Sequence, residues 1–261
     1  MFCLRKTLSL SFNFRFKKIN KHYPCNKIAN TMLIANPIYD SVFKYLLEDI
    51  EIAKELLSTI LGEEIIGLDV RPQEQTIKGA TTAVTVYRVD FNAIIRMKGG
   101  ASKKVLIELQ KGKHPADIKR FRKYLGQNYV KPDYPIGHDG MSQPGVALPI
   151  ITIYFLGFEL DFVKIPVLSV DCHYHNAATG EPLDPAIKER FVELLTHNSK
   201  VIQIPLLKSH LRSRLERVLQ VFNQDYKTNN EHELNFLSDE DDPLLKKIAL
   251  RLHRGILDEG L

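Results

Sequence analysis

Between residues 37 and 61 apolar side chains return at helical spacing: Phe43, Leu46, Leu47, Ile50, Ala53, Leu57, Ile60 and Leu61. That spacing lays them along one stripe of a helix. Asn36 can cap this helix, Pro37 suits its first position and Gly62 ends it. The pattern then changes period. Strands are expected at about 65–77, 83–97 and 104–111, the last two joined by the turn "KGGAS" at 98–102. A second helix is expected over 116–130, with Ile118, Phe121, Leu125 and Tyr129 on one face. A Pro- and Gly-rich loop follows at 131–147, and then "LPIITIYFLGFEL" (148–160) runs apolar without a break. Such a run suits a strand buried on both faces.

From 37 to 157 the order is therefore α, β, β, β, α, β. Beyond it the pattern predicts a strand at 167–175 and helices at 184–197 and about 207–226. A last helix starts at Asp242-Pro243 and stops at Gly255. The acidic stretch 231–242 reads as a solvated linker. The fold class expected is α/β, a mixed sheet within an αβββαβ core over 32–161, followed by a mostly helical C-terminal extension over 162–261.

Charge alters this picture at one end only. The formal net charge is +5, yet residues 1–31 hold seven Lys or Arg and no acid. The remainder carries 29 basic against 31 acidic residues, a net of −2. No global basic field argues for a polyanionic partner, so any electrostatic footprint is local. The first 31 residues read as a basic, disordered extension, and the organised pattern that begins after Met32 favours that methionine as the start. Three scattered cysteines exclude a disulfide framework and suit a reducing, cytoplasmic setting. No apolar run is long enough to span a bilayer, so a membrane is not among the expected partners.

The candidate chemistry follows from strand parity. In 104–111 Leu106, Glu108 and Gln110 share a face, and in 86–95 Arg88, Asp90 and Asn92 share one. A tight hairpin sets these strands side by side, so Asp90 and Glu108 can meet. Two carboxylates that meet repel unless a cation stands between them. Mg²⁺ fits, because it takes one or two carboxylates, keeps waters and accepts phosphate oxygens. The plainer alternative is a pair of solvent-facing carboxylates matched by Arg88 or a neighbouring lysine. The His173/His175 pair beside Cys172 has no evident third ligand.

The stretches "DSVFKYLL" (40–47), "YRVDFNAII" (87–95), "VLIELQK" (105–111), "DIKRFRKYLGQNY" (117–129) and "PIITIYFLGFEL" (149–160) occur in this order. Together they resemble the PD-(D/E)XK nuclease superfamily, and most closely its nuclease family transposase branch, related to the recombination-promoting nucleases. The resemblance covers about residues 36–160 and implies a restriction-endonuclease-like core. It also implies Mg²⁺- or Mn²⁺-dependent hydrolysis of DNA phosphodiester bonds. Asp90 and Glu108 would hold the metal with the Leu109 carbonyl, and Asp40 would add a metal or water contact. Gln110 stands where the superfamily usually has Lys. It can orient a water but brings no charge, and Lys44, one turn from Asp40, is the candidate cation.

Lys111, Lys113, Arg120 and Arg122 form a basic stripe suited to phosphates, with Tyr124 at its edge. Arg120 and Tyr124 match an Arg and a Tyr that recur in that branch. DNA is thus the expected partner, with room for a homodimer. The alternative is a catalytically silent nucleic-acid-binding protein that keeps the fold.

Overall fold

The computed structural model describes residues 31–71, 88–97, 100–130, 147–208, 213–237 and 242–257. The expectations for the basic extension through residue 30, for strand residues 72–77 and 83–87, for the loop at 131–146 and for helix residues 209–212 lie outside them. The helix expected over 37–61 is two helices, α1 (Asp40–Glu48) and α2 (Ile50–Leu61). Asp49 divides them. Its backbone is extended and its carboxylate accepts from the Ile52 N–H at 3.2 Å, so it starts a new helix instead of continuing the old one. Gly62 closes α2 at φ 73°, with its N–H on the Ser58 carbonyl.

Six strands form one mixed sheet: β2 (Glu64–Arg71), β3 (Arg88–Arg96), β4 (Ser102–Gly112), β5 (Ile150–Leu156), β7 (His197–Gln203) and β6 (Val167–Val170), in that spatial order. The β2/β3, β3/β4 and β6/β7 pairs are antiparallel, whereas β4/β5 and β5/β7 are parallel. The crossover from β4 to β5 carries α3 (Ile118–Val130). The architecture is α/β, as expected.

The C-terminal part departs from expectation. It supplies β6 and β7 to the main sheet, with two short helices, α4 (Arg190–Leu195) and α5 (Arg214–Leu219), and the longer α6 (Pro243–Ile256), which starts at the Asp242 cap as expected. The helix expected from 184 begins late because Asp184 caps only a turn, accepting from the Ala186 N–H at 2.8 Å. The acidic linker is likewise a strand in part. β8 (Glu233–Leu237) pairs antiparallel with β1 (Thr31–Ala35), a strand the sequence reading missed.

One large apolar core joins the two parts of the chain. It takes Phe43, Leu46 and Leu57 from α1 and α2, Phe91, Ile107, Leu109 and Phe155 from the sheet, and Val218, Phe222, Ile248 and Leu252 from the C-terminal region. Phe155 stands 5.3 Å from Phe43 and 4.9 Å from Phe222, centroid to centroid. The described residues beyond 162 therefore contribute to the same core. No helix of the described residues is long and apolar enough to cross a membrane.

Candidate active site

Parity divides the side chains of β3, β4 and β5 between the two faces of the sheet. Phe91, Ile107, Leu109, Ile153 and Phe155 enter the large core under α1 and α2. The opposite face carries Leu106, which joins Leu125 of α3 and Ile150 in a second, small apolar cluster edged by Tyr129 and Leu148. Along this α3 face runs a row of polar residues in cross-strand register: Asp90 beside Glu108, Glu108 beside Thr152, Thr152 beside Ser199. Asp90, Glu108 and Thr152 are wholly buried and Ser199 is 7% exposed. The Thr152 and Ser199 hydroxyls are 2.7 Å apart and hydrogen-bonded.

The structure thus brings Asp90 and Glu108 together as expected from parity, but not at the surface. The plainer alternative of solvent-facing carboxylates does not hold, and the Arg88 side chain lies outside the described residues. Gln110 is 1% exposed and its amide donates to Glu108 Oε1. Leu109 lies between the two with its side chain in the large core, and its backbone in a strand flanked on both sides.

A residue not singled out from the sequence completes the group. Asn128 of α3 is 4% exposed and lies seven residues after Phe121 and three after Leu125, on the helix face that meets the sheet. Its Nδ2 donates to Glu108 Oε2 at 3.0 Å and to Asp90 Oδ2 at 3.3 Å. The signal was available: an amide at a position where helical spacing calls for an apolar side chain. Ile118, expected on this face, is instead 55% exposed.

Among the described residues, four buried side-chain polar atoms lack a hydrogen-bond partner: Asn92 Oδ1, Gln110 Oε1, Asn128 Oδ1 and Arg120 Nε. Three are amide oxygens on this face, two of them on side chains that donate to the carboxylates. Leaving such an atom unpaired costs about 1–3 kcal/mol. An all-oxygen set of two carboxylates and neighbouring amide oxygens suits a hard divalent cation, so the residues present fit Mg²⁺ or Mn²⁺. No group of three His, Cys, Asp or Glu suited to a metal occurs among the described residues, and His173 and His175 are both exposed.

Asp40 and Lys44 are not brought to this site. Both lie on α1, across the sheet from α3. Lys111 has the parity of Leu109, so its side chain passes to the α1 side. There its ammonium pairs with Asp40 Oδ1 at 2.9 Å, donates to the Ile38 carbonyl and lies over the Phe43 ring. Burial pulls the Lys111 ammonium below the ordinary lysine value, although Asp40 pulls the other way. Lys44 is exposed on α1. The expected metal or water contact from Asp40 and the cation from Lys44 are corrected accordingly.

The basic stripe also divides. Lys111 is committed to Asp40. Arg120 is half-buried, donating to Asp117 Oδ1 at 3.0 Å and to the Lys111 carbonyl at 2.7 Å. Lys113, Lys119, Arg122 and Lys123 are exposed, and Tyr124 is half-buried. Asp117 accepts from the Lys113 and His114 N–H groups as well. Burial alone would raise its carboxyl, but the His114 and Lys113 amides and the Arg120 guanidinium hold it below the usual carboxylate range.

At the other end of α3, the Tyr129 hydroxyl and His197 Nδ1 are 2.8 Å apart. Burial raises the Tyr129 phenol, with Cys172, Tyr154 and Glu108 adding to the effect, and burial lowers His197. Comparison with family models, with curated proteins and with solved structures returned no match for this chain.

Proposed function

We propose that this chain is a divalent-metal-dependent DNA endonuclease of the PD-(D/E)XK type, hydrolysing phosphodiester bonds in a mobile-element or recombination setting. The observation that carries the reading is the buried Asp90–Glu108 pair, in register on adjacent strands and surrounded by amide oxygens without partners. Two carboxylates held side by side repel, and a divalent cation between them relieves that repulsion. Asp90 and Glu108 would hold the ion. When bound it would polarise a phosphodiester and lower the pKa of a coordinated water.

The chain's own groups have separate tasks. Gln110 orients Glu108 by donating to Oε1, and its free Oε1 can accept from a water. Lys113, shortly before α3, and Lys119, Arg122 and Lys123, exposed on it, supply the phosphate contacts. Arg120 fastens the end of β4 to the start of α3, a positioning task, through the Lys111 carbonyl.

A second reading is a DNA-binding protein that retains the fold without catalysis. It is favoured by Gln110 in place of a lysine and by the depth of the carboxylates.

One assay separates the two. Supercoiled plasmid is incubated with wild type and Asp90→Asn, in Mg²⁺ or Mn²⁺ and in EDTA, with DNA retention measured in parallel at low salt. Nicking by wild type in metal alone, lost in Asp90→Asn with retention intact, supports the nuclease. Retention without nicking in any metal supports the second reading, and neither activity removes both.

A further inference from the structure

Helix α3 covers the carboxylates and is held there by apolar contacts at intervals and by polar ones between them. Its apolar seat is the small Leu106, Leu125 and Ile150 cluster, edged by Tyr129 and Leu148, together with Phe121, which is 4% exposed and stacks on Tyr154 at 5.0 Å. Its other ties are Arg120 at one end, the Tyr129–His197 hydrogen bond at the other, and Asn128 between them. A single amide nitrogen of Asn128 serves both Asp90 and Glu108. An amide nitrogen carries two hydrogens, so both are spent on carboxylate oxygens. That orientation leaves its own oxygen buried without a partner.

We infer that Asn128 is an internal competitor for the site: its amide and a divalent cation draw on the same two carboxylates, so cation binding is coupled to release of α3 from the sheet. The inference rests on the metal-dependent reading above and adds to it a means of access. Asp90, Glu108 and Gln110 are at most 1% exposed, so a phosphodiester reaches them only if their cover moves. Asn128 ties that cover directly to both groups the cation takes. It is a positioning residue. The electrostatics favour the exchange, because a carboxylate pair gains more from a dipositive ion than from the neutral amide that the ion would replace.

The test uses purified full-length protein with Mn²⁺ and Mg²⁺ as probes. Wild type, Asn128→Ala and Asn128→Asp are compared by thermal midpoint in EDTA and in saturating metal, by direct Mn²⁺ titration, and by hydrogen exchange over 118–130. Both substitutions should lower the midpoint in EDTA, and the rise on adding metal should be larger than in wild type, largest for Asn128→Asp. The apparent Mn²⁺ affinity of Asn128→Ala should increase about tenfold, the size expected when hydrogen bonds to charged groups no longer compete. In wild type, metal should speed exchange in α3. Equal lowering of the midpoint with and without metal, at unchanged Mn²⁺ affinity, would reduce Asn128 to a packing residue and overturn the inference. A wild type that neither binds Mn²⁺ nor shifts its midpoint overturns the metal-dependent reading and this inference together. Wild-type binding that both variants reproduce unchanged overturns only the role of Asn128.

Discussion

β3, β4 and β5 present Phe91, Ile107, Leu109, Ile153 and Phe155 to α1 and α2 on one side, and Asp90, Glu108, Gln110 and Thr152 to α3 on the other. The first side is closed by interlocking rings and aliphatic chains drawn from both ends of the sequence. The second is closed by one helix over charged and amide groups, four of whose buried polar atoms, counting Arg120 Nε, have no partner among the described residues. The same strands thus carry a side built for stability and a side on which stability is given up. Such a division is expected where a site has to bind something, because unsatisfied polar groups are tolerated in folded proteins chiefly for function.

The comparison breaks most directly at its stronger side. Phe155→Ala removes a ring that touches both Phe43 and Phe222, and the expected loss is about 3–5 kcal/mol in chemical denaturation. A loss below about 1 kcal/mol would mean that this side does not hold the fold.

Gly112→Ala probes the weaker side. A Cβ there would stand 2.7 Å from Phe121 Cζ, so the start of α3 has to shift. The expected cost is about 1–3 kcal/mol, with faster hydrogen exchange confined to 118–130. If exchange rises equally in α2, the two sides are one cooperative unit and the contrast fails.

Asp117→Asn sharpens the contrast at the helix start. At neutral pH it should cost about 1 kcal/mol, the lower part of the capping range, because part of the carboxylate meets water. The folded carboxyl lies below the ordinary 3.8, so its contribution is complete above that value and is lost as pH falls through the folded value. Denaturation midpoints of the two proteins should therefore converge in acid and separate at neutral pH.

The smallest effect is expected from Lys111→Met, under about 1 kcal/mol at neutral pH. Removing a buried charge offsets the loss of its pair, and Asp40 remains partly in water at the N-terminus of α1. Because the folded Lys111 lies below the ordinary 10.5, wild type should gain stability as pH rises from the folded value toward that figure. The Met variant should lack that gain. Its DNA retention should match wild type, whereas Lys113→Ala with Arg122→Ala should weaken retention and lower its salt dependence.

Strand parity and a short hairpin were enough to place Asp90, Glu108 and Gln110 on one face, because a period of two leaves no freedom once the strands are paired. The side of the sheet on which α1 packs has no such local rule. Asp40 was joined to the carboxylates only by the resemblance, and Lys44 by its spacing from Asp40, yet it is Lys111 that reaches Asp40. Asn128 was overlooked because one amide within a basic helix resembles a solvated residue. The break at Asp49 was hidden by an apolar stripe that continues across it. Neither β1 nor β8 is marked by its own sequence, since each depends on a partner far along the chain.

Ile34 pairs with Leu234, and α6 sits against the same strand through His253 and the Leu33 carbonyl. In a nascent chain β1 leaves the ribosome early and waits for β8 and α6, on the order of ten seconds or more at ordinary rates of synthesis. During that interval Ile34 lacks its strand partner and α1 lacks the part of its cover that α6 supplies, and exposed apolar surface of this kind is what chaperones bind. The clasp between the two distant strands thus makes a segment synthesised much later a condition for fully burying β1.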